Sequence, residues 1–236
     1  MQKIKAHLVA RIKRTATVES FRFIPEEPIF FKAGQFLQVV FDRTDPDNRQ
    51  LNKYLSFSAA PSRPYFEITK RLSESAFSES LKHLKITDEL EFNLPFGTCV
   101  LPETDQKIGF LIGGIVITPV ISMIEEIILK KLDLDVAMFY SNKTAAEVAF
   151  KEELQNWQKN FPNIRVIYTT TESEPTGPGW FFGRINQDLV RQKAPDFLDR
   201  KWFIFGPPAM VAVVTEICRQ LGLKEEQIMT EKFIGY

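Results

Sequence analysis

Phe110-Leu111-Ile112-Gly113-Gly114-Ile115-Val116-Ile117-Thr118-Pro119-Val120-Ile121-Ser122-Met123 carries an apolar strand into paired glycines and on into a helix. Glycine lets backbone N–H groups approach a diphosphate with no Cβ in the way. The helix that follows presents unpaired N–H donors and the positive end of its dipole. The run therefore reads as a turn that binds a nucleotide pyrophosphate. The uncharged stretch Ile108–Ile124 barely reaches the roughly 18 residues of a membrane span and is broken by Gly-Gly and Thr-Pro, so a buried strand, turn and helix accounts for it better.

On the C-terminal side of this turn, strand-like Asp135–Tyr140, Ile164–Thr169 and Lys201–Phe205 join Gly109–Ile112. They alternate with helix-like Val120–Lys131, Ala145–Asn160, Asn186–Gln192 and Ala209–Leu221, the pattern of a doubly wound parallel sheet. On the N-terminal side the texture changes to period-two runs, His7–Ile12, Ser20–Ile24 and Gln35–Phe41, separated by Pro, Gly and Asp turns. Further strands are expected at Tyr54–Ser58, Tyr65–Lys70 and Glu89–Asn93, with one helix near Phe77–Leu84. Six short antiparallel strands and a helix predict a closed β-barrel. The fold class is therefore two-domain, β plus α/β: a six-stranded antiparallel barrel over residues 1–101, a linker at Leu101–Gln106, and a Rossmann-like parallel-sheet nucleotide-binding domain over 107–236.

The 236 residues, 44% of them hydrophobic, can supply two cores. Thirty basic and thirty acidic residues cancel, and no block of like charge marks a nucleic-acid surface, so nucleic acid is not expected as a partner. Cys99 and Cys218 are too few for a disulfide framework, a thiolate metal site or an iron–sulfur centre. No metal is expected, and a reducing, cytoplasmic setting fits. Met1–Lys5 leads into alternating residues rather than an apolar core, so neither a signal peptide nor a membrane span is expected.

Two more blocks flank the glycine turn: Leu55-Ser56-Phe57-Ser58-Ala59-Ala60-Pro61 upstream and Phe205-Gly206-Pro207-Pro208-Ala209-Met210 downstream. Each has a plain structural reading, as a buried strand and as strand-to-helix punctuation. In this order, with the chain ending Glu231-Lys232-Phe233-Ile234-Gly235-Tyr236, they resemble the ferredoxin–NADP reductase superfamily of flavin oxidoreductases.

The resemblance implies FAD and NADH or NADPH as cofactors. Relatives carry Arg-x-Tyr-Ser where Lys53, Tyr54, Leu55 and Ser56 stand. The first flavin segment is thus Lys53–Ser58, including Phe57 and Ser58, with Ser56 beside the reactive flavin nitrogen. Lysine gives up the planar fork of Arg, and Leu55 cannot stack as an aromatic does. A second segment, Ile68, Thr69 and Lys70 followed by Ser75, Ala76, Phe77 and Ser78, resembles the strand and helix start that bind the flavin diphosphate, with Ser75 where Gly is usual.

Relatives run Gly-Gly-x-Gly-Ile-Thr-Pro at the glycine turn, implying Gly113, Gly114, Ile115 and Thr118 as nucleotide ligands, with Val116 in place of the third glycine. A β-branched residue resists positive φ and crowds an approaching diphosphate. Asn142 and Lys143 match a segment near the adenosine. Thr170-Thr171-Glu172 stands where NADP-using relatives often carry Ser-Arg, which leans the reading to NADH. Gly206, Pro207, Pro208 and Met210 match the turn that borders the nicotinamide, with Phe205 replacing a frequent cysteine.

Phe233, with Tyr236 second, corresponds to the aromatic that covers the flavin, and Glu231 to a carboxylate that arranges proton supply. Ser56, Glu231 and Phe233 are thus the implied catalytic residues. The implied activity is hydride transfer from NAD(P)H to bound FAD, then electron delivery to a separate acceptor, a ferredoxin-like protein or a small molecule. Two alternatives stand beside it: a flavin-binding electron-transfer or assembly subunit that does not use nicotinamide nucleotides, and a nucleotide sensor without flavin.

Overall fold

The computed structural model describes residues 1–175 and 177–233. The chain divides into two compact units, one formed by Met1–Leu101 with Thr118–Lys131, the other by Pro102–Ile117 with the chain from Leu132 onward.

In the first unit the alternating runs form six antiparallel strands: β1 (Gln2–Lys13), β2 (Val18–Pro25), β3 (Phe36–Val40), β4 (Asn52–Ser56), β5 (Phe66–Arg71) and β6 (Glu89–Phe96). Their order is β4-β3-β6-β1-β2-β5. An antiparallel bridge between Phe57 and Ile68 joins the two edge strands, and the Ser58 N–H donates to the Glu67 carbonyl at 2.8 Å. The sheet thereby closes into a near-barrel, as the sequence predicts.

Period-two patterning sorts the two faces. Phe21 and Phe23 of β2, Phe66 and Ile68 of β5 and Phe92 of β6 point inward with Phe57, Leu37 and Val39. Phe23, Phe66 and Phe92 meet one another at 4.9–5.5 Å between ring centroids. Helix α1 (Ala76–His83) adds Phe77 and Leu81 to this core.

The residues between these inward positions, Ser20, Arg22, Glu67 and Thr69, build a polar network on the outer face. Glu67 accepts from Arg14 at 3.1 Å and Arg22 at 2.7 Å, and from the Ser58 hydroxyl at 3.1 Å. Thr69 shares its hydroxyl with Ser20 and Ser58, each at 2.7 Å.

Helix α2 (Thr118–Leu129) also belongs to the first unit. Met123 packs where a Cβ on Gly34 would strike its terminal methyl at 2.2 Å.

The second unit is a six-stranded sheet of order β10-β9-β8-β7-β11-β12, parallel in every pairing. Its strands are β7 (Lys107–Gly113), β8 (Asp135–Asn142), β9 (Ile164–Thr170), β10 (Trp180–Phe182), β11 (Lys201–Gly206) and β12 (Ile228–Lys232). From β7 the chain steps outward to β8, β9 and β10, then resumes on the other side with β11 and β12. Strand order therefore reverses between β7 and β11, and in such sheets ligands bind at the carboxyl ends of the strands beside that reversal.

Leu189 and Val190 of α4 (Gln187–Lys193) and Val211, Val214 and Cys218 of α5 (Pro208–Gln220) pack on Leu111, Phe139, Trp202 and Ile204. At the opposite, amino ends, the buried Arg200 guanidinium donates to the carbonyls of Ile108 and Asp135 and to the carboxylates of Asp135 and Asp196.

Three features differ from the sequence reading. The expected helix over Ala145–Asn160 is a 3-10 turn at Ala145–Glu147 followed by α3 (Lys151–Asn160). Phe150 between them adopts φ +58°, which no continuous right-handed helix accepts. Strands β10 and β12 were not expected: both lie at sheet edges, and β10 is only three residues long.

Glu67 and Arg14 have side chains 2% and 8% exposed. Glu67→Ala removes the shared acceptor of Arg14, Arg22 and Ser58, and is expected to lower stability by about 3 kcal/mol, read as a fall in the urea midpoint.

Candidate functional site

The glycine turn lies at the point where strand order reverses. β7 ends at Gly113 beside Gly206 at the end of β11, and the Met210 side chain sits between them: a Cβ on Gly113 would meet its sulfur at 2.6 Å, and one on Gly206 at 3.0 Å. These three predicted residues are thus brought together, with the Met210 side chain packed closely over both glycines. Gly114 has a different reason to be glycine. Its φ is +61° and a Cβ there would meet nothing within 4 Å, so its backbone faces open space in a conformation that suits an approaching ligand.

Residues 114–117 form a 3-10 turn that leads into α2. Val116 does not have a positive φ, and its side chain is buried at 2% exposure. The valine side chain is therefore packed inside the fold on an unstrained backbone.

At the same edge, Pro207 precedes α5, whose first residue is Pro208; a proline there gives up an N–H that would be unpaired anyway. Strand β12 places Glu231 beside Phe205 and Lys232 beside Gly206. The Phe233 N–H donates to the Gly206 carbonyl at 3.1 Å, and its ring meets Phe205 edge-on at 6.3 Å. Burial pushes the Glu231 carboxyl up from 4.5 to about 7. Glu231 and Phe233 therefore stand next to the Gly206–Pro207 turn, while Tyr236 lies outside the described residues.

One strand further out, β8 ends at Asn142, whose buried amide nitrogen and oxygen have no partner within the described residues. The Thr169 hydroxyl, on the neighbouring strand β9, is likewise buried without a partner. Buried orphan groups of this kind call for a ligand or solvent. The adjoining loop is tied down: the Glu172 N–H donates to the Lys143 carbonyl at 2.8 Å, and the Glu172 carboxylate pairs with the Lys143 ammonium at 3.1 Å. Sequence reasoning singled out Asn142 and Lys143 but did not foresee that Glu172 neutralises Lys143.

In the first unit, closure of the barrel sets β4 against β5. Lys70 is held below the usual lysine range by burial and by the charges of Lys53 and Arg71, so these cations crowd one another and an anion placed among them is favoured. Just beyond β5, Ser75 caps α1, accepting from the Ser78 N–H. The hydroxyls of Ser73, Ser75 and Ser78 lie 3.1–3.2 Å apart. Of these, Ser73 and Ser75 are exposed and Ser78 is fully buried. Ser78 therefore supports the cap, and Ser73, which the sequence reading did not select, joins Ser75 as an accessible hydroxyl. Ala76 is exposed at the first turn of α1.

Other predicted flavin residues serve the barrel through their side chains. Phe57, Ile68 and Phe77 are fully buried in the core. The Ser58 and Thr69 hydroxyls are taken up by the Glu67 network. Leu55 packs on the core. Tyr54 is 57% exposed and meets Phe36 and Phe96 edge-on at 5.8 and 5.3 Å, making it the accessible aromatic of this strand. Ser56 is 5% exposed at the end of β4.

Because the Glu231 carboxyl is raised on folding, the stability it permits is fully present below 4.5 and is lost as the pH rises through about 7. In Glu231→Gln the urea midpoint should equal that of the parent under acid conditions and exceed it at alkaline pH, with the difference opening across that interval.

Residues 110–216 match the oxidoreductase NAD-binding domain family. The chain is 28% identical over 230 residues to the glycine betaine monooxygenase reductase subunit of Chromohalobacter salexigens, covering 94% of this chain and 62% of that protein. It thus spans a little under two thirds of the length of that relative. Among solved structures it is similar to the cytochrome b5 reductase domain of Ulva prolifera nitrate reductase, with a TM-score of 0.84 at 19% identity, over 98% of this chain and 97% of that one. It is also similar to ferredoxin–NADP+ reductase from Plasmodium falciparum, with a TM-score of 0.79 at 17% identity, over 98% and 96% of the two chains. No helix among the described residues is long and apolar enough to cross a membrane. Residues 110–216 thus carry the match to the oxidoreductase NAD-binding domain, and the near-barrel followed by a parallel α/β unit is the fold this chain shares with ferredoxin–NADP+ reductase and the cytochrome b5 reductase domain.

Proposed function

We propose that the chain is a flavin-dependent reductase that takes reducing equivalents from a nicotinamide nucleotide onto bound FAD and passes electrons to a separate acceptor. The observation that carries this reading is the grouping of open Gly114, Gly206 and Met210 with Glu231 and Phe233 at the strand-order reversal. The flavin, when bound, supplies acceptance of two electrons from the reduced nucleotide and their onward release.

The residues fit both cofactors. Lys53 and Lys70 neutralise the flavin diphosphate, and Ser73, Ser75 and the first turn of α1 donate to it. Ser56 hydrogen-bonds the flavin ring, and Tyr54 offers it an aromatic surface. Gly113, Gly114, Ile115 and Thr118 present backbone to the nucleotide diphosphate. Glu231, half protonated near neutral pH, holds a proton at its carboxyl oxygen for delivery.

Asn142 offers an uncharged amide to the ribose, and Glu172 already occupies Lys143. A 2′-phosphate would meet a carboxylate there, which favours NADH over NADPH. The acceptor is a separate protein, on the example of the monooxygenase reductase subunits among the relatives, or a small molecule. The alternative of a flavin subunit that does not use nicotinamide rests on Leu55 and Phe205. Val116, with unstrained backbone and inward side chain, lends it no support.

Anaerobic addition of NADH to the FAD-loaded protein is expected to bleach the visible flavin band, with NADPH at least about tenfold less effective, a difference of about 1.4 kcal/mol. Glu172→Arg should narrow that ratio. A flavin that stays oxidised with both nucleotides rejects the reductase reading in favour of the subunit, and a protein that stays colourless with excess FAD rejects the flavin altogether.

A further inference from the structure

The segment leaving β4, Ala59-Ala60-Pro61-Ser62-Arg63, contains two buried alanines, 2% and 0% exposed, with no side chain able to anchor the backbone. What holds it is one face of α2. The Ser122 hydroxyl donates to the Ala59 carbonyl at 2.8 Å. Glu125 accepts the Ala60 N–H at 2.7 Å and, through its other oxygen, Arg63 Nε and Nη2 at 2.9 and 2.6 Å. Glu126 accepts the Ser62 N–H at 3.2 Å and its hydroxyl at 3.0 Å, and pairs with Lys130. Ser122, Glu125 and Glu126 stand at i, i+3 and i+4, so they share one helix face.

Resting on the flavin reading above, we propose that Glu125, with Ser122 and Glu126, is a positioning residue that sets the course of Ala59–Arg63 and thereby of Ser56–Ser58 at the flavin. The argument is one of constraint. The Ala60 N–H is buried, its acceptor is a carboxylate, and a charge-assisted bond of this kind is short and directional. Ser56 lies four residues upstream with no flexible linker between. A shift at Ala60 therefore passes along a short buried backbone, Phe57-Ser58-Ala59, to the hydroxyl assigned to the flavin ring. None of the three α2 residues needs to touch the cofactor, so their effect is read in the state of the flavin.

The test compares the full chain with Glu125→Gln, which loses one carboxylate acceptor, and Arg63→Ala, which keeps the Ala60 bond. Far-UV circular dichroism monitors the fold. FAD affinity is measured by fluorescence titration, and the visible band and midpoint potential of the bound flavin are recorded. Glu125→Gln is expected to bind FAD roughly tenfold more weakly, with a displaced band and potential and unchanged dichroism, the size of effect that follows from replacing a charge-assisted bond to a buried N–H by a neutral one. Arg63→Ala should bind within about twofold of the parent, as for loss of a partly exposed ion pair.

Parental affinity, band and potential in Glu125→Gln overturn the proposal, as does an equal loss in both variants. Should Glu125→Gln fail to fold, Ser122→Ala, which removes only the Ala59 contact, carries the same two outcomes. Failure of the parent itself to bind FAD is a separate result. It overturns the flavin reading together with this inference, whereas binding by the parent with an indifferent variant overturns this inference alone.

Discussion

The bridge between Phe57 and Ile68 is the contact on which the first unit depends. The six strands could form an open sheet without it, but β4 and β5 lie at opposite edges and meet only because that sheet curls round on itself. Closure removes two exposed edges. It also encloses the Phe23, Phe66 and Phe92 cluster and places Lys70 where burial, with the charge of Lys53, holds its ammonium below the usual lysine range. The Glu67 network sits on the same seam, so the charges that fasten the barrel and those that draw an anion occupy neighbouring strands with separate tasks.

In the second unit the governing constraint is the reversal of strand order beside β7. Parallel strands point their carboxyl ends to one side, and the reversal parts the connections leaving β7 and β11 there. Gly113 and Gly206 let Met210 pack closely between them, and Gly114 takes a left-handed backbone that favours glycine. At the other end of the sheet, Arg200 binds the starts of β7 and β8 to the loop before β11. Polar groups are satisfied inside the fold at the amino edge and left open at the carboxyl edge, and this asymmetry marks where chemistry can take place.

Much of this was legible from local pattern. Phe21 and Phe23 alternate with Ser20 and Arg22 as a half-buried strand must, and Gly113–Gly114 before Thr118–Pro119 announces strand, turn and helix. What stayed hidden depends on partners distant in sequence. Phe150 gives no sign that its backbone will break the expected helix, and β10 and β12 are too short or too polar to show a period. The hydroxyls of Ser58 and Thr69 look like ligand groups until Glu67, Arg14 and Arg22 converge on them. Likewise, Lys143 looks like an anion site until the fold sets Glu172 against it, some 29 positions away.

Helix α2 follows the nucleotide turn in sequence yet belongs with the barrel, so the polypeptide passes from one unit to the other after Leu101, again after Ile117 and once more after Lys131. No single cut can liberate an intact barrel. A fragment ending at Leu101 would strip Ala59, Ala60 and Ser62 of the groups that satisfy their backbone. Modular exchange among relatives is therefore constrained: a transplanted nucleotide-binding half brings its own α2, and it can be accepted only by a barrel whose connection between β4 and β5 already matches that helix.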